Sequence, residues 1–137
     1  MAKKSIEEIK RELVWIAKKE NVHSILIFGS YLSDLNPRDI DICIVTFGKP
    51  FSLEEYGELT LRHPNGYDFV VFEELPLYLK MEIINKHIIL YSRDQYELYE
   101  YFYKYRKLWK DQEYRNRPDT EFILKRINKY LSETTST

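Results

Sequence analysis

The chain has 137 residues, 44% of them hydrophobic, which suits one domain with a real core. Its 21 Lys and Arg against 22 Asp and Glu leave a net charge of −1, which excludes bulk electrostatic capture of nucleic acid but leaves room for a local basic patch. No apolar run approaches the roughly 20 residues of a membrane span, and the start, MAKKSIEEIK, is charged and amphipathic rather than a signal core, so a cytoplasmic protein is expected.

A helix is predicted over 5–20. Ile6, Ile9, Leu13 and Ile16 recur at three- and four-residue spacing, and Ser5 with Glu8 has the form of a capping box. HSILIF at 23–28 is a short β-prone run broken by Gly29. Residues 31–38 form a turn-rich loop with Ser33, Asp34, Asn36 and Pro37, and a second strand covers 39–47. Gly48-Lys49-Pro50 ends it. A short helix over 52–61 follows, with Ser52 as cap and Glu55 three residues on.

His63-Pro64-Asn65-Gly66 is a turn signal before a third strand, YDFVVF at 67–72. Leu75, Leu79 and Ile83 set a helix over 75–86 with Pro76 in its first turn, and HIILY at 87–91 is a fourth strand. A long aromatic helix over 94–113 and a last helix over 119–131, capped by Asp119, precede a polar tail. Strands alternating with helices argue an α/β or α+β layer domain: a small mixed sheet of about four strands flanked by helices, with a helical C-terminal extension. The expected division is a main domain over 1–115 and a helix and tail over 116–137. Cys43, the only cysteine, excludes an internal disulfide and sits in an apolar run as a small core residue. It and the three histidines have no zinc-ligand spacing.

The stretch FGSYLSDLNPRDIDICIV poses the chemical question, because Asp39 and Asp41 interrupt an otherwise buried strand. Residues two apart in a strand share a face, about 6.5–7 Å apart by the rise per residue, while Ile40, Ile42 and Ile44 turn to the other side. Carboxylates held that close repel one another and need a positive partner. Magnesium is the natural one, since it takes hard oxygen ligands and bridges carboxylates to phosphates. Taken alone, Asp-x-Asp at a strand start also describes a solvated edge, and Asp68 alone reads as a turn residue. Gly29-Ser30 directly after a strand changes the balance. A glycine permits close backbone approach, and a hydroxyl and amides can meet a phosphate. Three carboxylates from two strands beside such a turn suit a two-metal site.

Gly29-Ser30, a loop, Asp39-x-Asp41 and a later Asp68 together resemble the nucleotidyltransferase superfamily that includes DNA polymerase beta and kanamycin nucleotidyltransferase. The layout is most similar to the minimal nucleotidyltransferases, the MNT antitoxins paired with HEPN toxins, over about residues 1–115. The resemblance implies a polymerase-beta-like fold. It implies that Gly29 and Ser30 hold the triphosphate of ATP or another NTP, and that Asp39 and Asp41 bind two Mg2+ ions. Asp68 would complete the metal site and activate the attacking hydroxyl. The implied reaction transfers a nucleoside monophosphate, AMP from ATP first among them, to a hydroxyl acceptor, with a HEPN protein as partner and acceptor. The chain departs from the family in one place: Tyr31 follows Ser30 where members commonly carry Arg, and the loop lacks glycine. Arg38 is the candidate phosphate contact from the far end of that loop.

In QYELYEYFYKYRKLWK, Leu98, Phe102, Tyr105 and Trp109 form a stripe expected to pack on the domain. Tyr96, Tyr99 and Tyr103 form a second stripe expected to meet a protein partner, ahead of a nucleic acid, because Glu97, Glu100 and Asp111 dilute the charge of Lys104, Arg106, Lys107 and Lys110. No HEPN-type Arg-x4–6-His motif is present, so a HEPN partner is a separate chain. A homo-oligomer stays open. Two other readings stand beside the antitoxin enzyme: a catalytically weak antitoxin acting as a binding module, and a transferase acting on a small molecule or nucleic acid.

Overall fold

Residues 3–35 and 37–115 are described by a computed structural model. Helix α1 (Ile6–Ala17) leads into strand β1 (Ser24–Phe28), a 3-10 turn (Gly29–Leu32) and β2 (Ile40–Val45). Helix α2 (Leu53–Arg62), β3 (Tyr67–Val71), a second 3-10 turn (Phe72–Glu74), α3 (Leu77–Asn85), β4 (Ile88–Ser92) and α4 (Gln95–Arg115) complete the described chain. The sheet order is β3-β2-β1-β4, with β1 antiparallel to β2 and β4, and β2 parallel to β3. This is the mixed four-stranded α+β sheet the alternating pattern predicts. Among the described residues no helix is long and apolar enough to cross a membrane.

Parallel pairing of β2 and β3 needs a crossover, and α2 supplies it. Its start carries a complete capping box, with Ser52 Oγ accepting from the Glu55 N–H and Glu55 Oε1 accepting from the Ser52 N–H. At α1 only half of the expected box forms: Ser5 caps the Glu8 N–H, with no reciprocal bond. Helix α3 starts two residues later than predicted, with Pro76 as its cap rather than in its first turn. Its buried residues are Met81, Ile83 and Ile84, while Leu75 and Leu79 stay half-buried.

Strand period sorts the core into two layers. Ile25 and Ile27 of β1, Ile40, Ile42 and Ile44 of β2, and Tyr67 and Val71 of β3 share one cluster with Ile9, Leu13 and Ile16 of α1. The alternating residues Leu26, Cys43 and Val45 are buried outside that cluster, as are Phe72, Met81, Leu98 and Phe102. Phe72 and Phe102 meet at 5.4 Å between ring centroids, tying the second 3-10 turn to α4. Cys43 is buried as expected, and burial pushes its thiol well up.

One carboxylate organises the end of β2. Glu73 accepts from Thr46 N–H at 3.0 Å, Thr46 Oγ1 at 2.9 Å, Phe47 N–H at 3.0 Å and the Tyr101 hydroxyl at 2.8 Å. These bonds hold Phe47 at φ 57, a conformation that bulky residues resist. Its ring is clamped between His23, 3.9 Å away, and Tyr101, 4.3 Å away. Glu73→Ala would strip four donors at once and is expected to cost about 3 kcal/mol, discounting for non-additivity, read as a lower urea midpoint.

Compact packing divides within α4: a first unit ends at Arg106 and a second begins at Lys107. In the first unit Leu98 and Phe102 of the predicted packing stripe are buried and Tyr105 is half-buried, whereas Tyr96, Tyr99 and Tyr103 are 72%, 54% and 66% exposed; Trp109 falls in the second unit. The predicted helix over 119–131 and the tail lie outside the described residues.

Candidate active site

Register sets the site. Phe28 pairs with Asp41 across β1–β2, and Asp41 pairs with Asp68 across β2–β3. Paired residues share a face, so Phe28, Asp41 and Asp68 form a row across three strands, on the face opposite Ile40 and Ile42. The row lies where β1 ends in the Gly29–Leu32 turn. Asp39 precedes β2 instead of lying within it, because the strand spans Ile40–Val45 rather than 39–47. Asp39 still acts on Asp41 electrostatically.

Gly29 sits against Asp41. Its φ is +74, and a β-carbon there would overlap Asp41 Oδ2 and stand 3.2 Å from Cγ. Only glycine combines that backbone with that approach. The Ser30 backbone N–H donates to Asp41. The Gly-Ser pair is therefore built into the carboxylate site.

Asp41 is half-buried, and its carboxyl is pushed above the ordinary range. Burial is the largest cause, followed by the charges of Asp68 and Asp39, with the Ser30 N–H opposing. Among the described residues no Lys or Arg pairs with any of the three acids. Nor do three or more His, Cys, Asp or Glu side chains form a ready metal cage among them. The donor set still fits magnesium in its usual phosphate-site form, where one or two carboxylates bind the ion and substrate phosphates and water complete the shell.

Arg38 is exposed and makes no ion pair among the described residues. The cation that reaches the turn is Lys3, whose Nζ donates to the carbonyls of Tyr31 at 2.6 Å and Asp34 at 3.2 Å and lies 4.2 Å from the Tyr31 ring centroid. Tyr31 is not a loop residue: it is buried in the 3-10 turn, and its hydroxyl donates to the Lys4 carbonyl. Sequence reasoning missed Lys3, and no spacing rule links a terminal lysine to a turn so far along the chain.

Residues 7–96 match the family model described as Polymerase beta, Nucleotidyltransferase. The chain belongs to the polymerase beta nucleotidyltransferase family. The matched segment contains all six candidate site residues. A candidate protein adenylyltransferase of Methanocaldococcus jannaschii is 47% identical over 98 residues, covering 70% of this chain and 76% of that one. Among solved structures, a chain from a Shewanella oneidensis complex of tri-AMPylated HEPN toxin with MNT antitoxin has a TM-score of 0.65 at 13% identity, covering 88% of this chain and 99% of its own. A chain from a toxin–antitoxin structure with AMP-PNP gives 0.62 at 17% identity, again covering 88% and 99%. At such identities the likeness is one of fold. The protein is a nucleotidyltransferase of this polymerase-beta-like class.

Proposed function

We propose that this nucleotidyltransferase moves AMP from ATP to a hydroxyl on a protein, and that its acceptor is a HEPN-type toxin for which it is the antitoxin. The observation that carries the chemistry is the pairing of Asp41 with Asp68 beside a glycine that admits no side chain. The M. jannaschii relative supports AMP as the group moved and a protein as acceptor. The toxin–antitoxin fold likeness names the first acceptor to try.

In this reading the amides and hydroxyl of Gly29 and Ser30 cradle the triphosphate. Asp39 and Asp41 would hold magnesium, with Asp68 closing the set. When bound there, magnesium would supply positive charge to offset that developing on the reacting phosphate. Asp68 orients the acceptor hydroxyl and takes its proton as the oxygen attacks the α-phosphorus in line. The bond from α-phosphorus to acceptor oxygen forms, the bond to the bridging oxygen breaks, and pyrophosphate leaves. Arg38 serves the phosphates from the rim.

The exposed stripe Tyr96, Tyr99 and Tyr103 favours a second reading, an antitoxin that works by binding alone. ATP labelled at its α-phosphate, with magnesium and a purified HEPN-type protein, separates the two. Transfer of label by the native protein but not by Asp41→Ala supports the enzyme. Stable complex formation by both forms with no label transferred supports the binding module.

A further inference from the structure

The strand that carries Asp68 is an edge strand. Among the described residues β3 pairs only with β2, and its outer side makes no backbone hydrogen bond. The Ile40 N–H donates to the Gly66 carbonyl at 2.9 Å, and this bond fixes the phase of the ladder. In a parallel pair alternate residues bond inward, so Gly66, Asp68 and Val70 spend their backbone groups on β2. Tyr67, Phe69 and Val71 therefore turn N–H and C=O outward. Such a row is a template for another extended chain.

We propose that the outer edge of β3 is the acceptor site: an extended segment of the protein receiving the nucleotide adds to the sheet there and brings its hydroxyl to Asp68. The proposal rests on the reading of the chain as a protein adenylyltransferase. The side chain of a residue paired with Asp68 would share its face, with β-carbons about 4.5–5.5 Å apart. A Ser, Thr or Tyr hydroxyl then stands beside the carboxylate that is to take its proton. The opposite edge, β4, offers no such alignment, since β1 lies between it and the aspartates. Main-chain pairing supplies affinity without demanding a particular sequence, while the alternating side chains set preference.

The test uses the intact protein, magnesium, α-labelled ATP and a library of nine-residue peptides with a central Ser, Thr or Tyr. The best-labelled peptide is then resynthesised with single N-methyl groups along its backbone. Strand addition predicts that methylation lowers labelling about tenfold or more at every second position and little between them. A flat or irregular profile overturns the proposal. Two variants read the protein side: Phe69→Pro removes an outward N–H, and Phe69→Ala loses the same ring while keeping it. Proline is expected to reduce peptide labelling well below the alanine level, with ATP affinity by calorimetry equal in both. Equal labelling by the two also overturns it. If the native protein labels no peptide and no HEPN-type protein, the adenylyltransferase reading fails and the edge site with it. Labelling that ignores N-methylation removes the edge site alone.

Discussion

Asp41→Asn is expected to abolish nucleotidyl transfer and, at the same time, to make the ligand-free protein more stable at neutral pH. The loss of transfer should be about 10²–10³-fold or more if, as proposed, Asp41 holds the metal that clamps the transferred phosphoryl. The gain in stability follows from the sign of the titration. Burial and the charges of Asp68 and Asp39 raise the carboxyl of Asp41 in the folded chain above its ordinary 3.8. The folded state therefore binds more protons than the unfolded state in the window just above 3.8. Stability contributed by this group is present below that window and is lost as pH rises through the folded-state value. Asparagine carries no charge and escapes the loss. Urea titrations at several pH values should show the native protein weakening relative to Asp41→Asn as the pH rises from about 4 to 7, with little change in slope. A lower midpoint for the asparagine form at pH 7 would contradict the strain assigned to this carboxylate. Saturating magnesium and ATP should narrow the gap, because ligands of the folded state stabilise it by mass action.

Gly29→Ala should be the most damaging single-methyl change in the site. The backbone at φ +74 costs an alanine about 1–3 kcal/mol. The new methyl also overlaps Asp41 Oδ2, so the carboxylate must rotate out of the row it forms with Asp68. Stability and transfer should fall together, with transfer down about 10²-fold or more for displacement of the carboxylate proposed to act in catalysis. A double-mutant cycle assigns the cause. With Asp41→Ala in the background, the overlapping oxygen is gone while the backbone cost remains. The stability penalty of Gly29→Ala should then shrink without vanishing. An unchanged penalty would show that φ alone accounts for the effect and that glycine is not there to admit the carboxylate.

The fold was largely legible because its signals are local. Apolar period three to four marked α1, and β-branched runs marked β1, β2 and β4. The Ser52–Glu55 pair announced a cap that forms in full. The alternation DIDICIV gave the right side to Ile40, Ile42 and Ile44. What could not be read was the pairing. Composition does not reveal that β2 and β3 run parallel in a register that sets Asp41 opposite Asp68. Nor does it reveal that Tyr31, which looks like a misplaced loop residue, is a core side chain held by the Lys4 carbonyl. The spacing of Asp39 fits a strand position, yet the ladder begins one residue later. Lys3 and Glu73 act through contacts far along the chain, beyond any local periodicity.

The parallel junction of β2 and β3 has a kinetic meaning. β1, its turn and β2 are a local unit that can pair early, and such a hairpin carries Gly29, Asp39 and Asp41 but not Asp68. The third acid arrives only once α2 has crossed over and β3 has docked, a longer-range contact whose loop entropy must be met first. A partly assembled chain therefore cannot display the complete site. Magnesium and ATP should find little to hold in such a chain, and their stabilising effect should appear as slower unfolding of the finished molecule rather than faster folding.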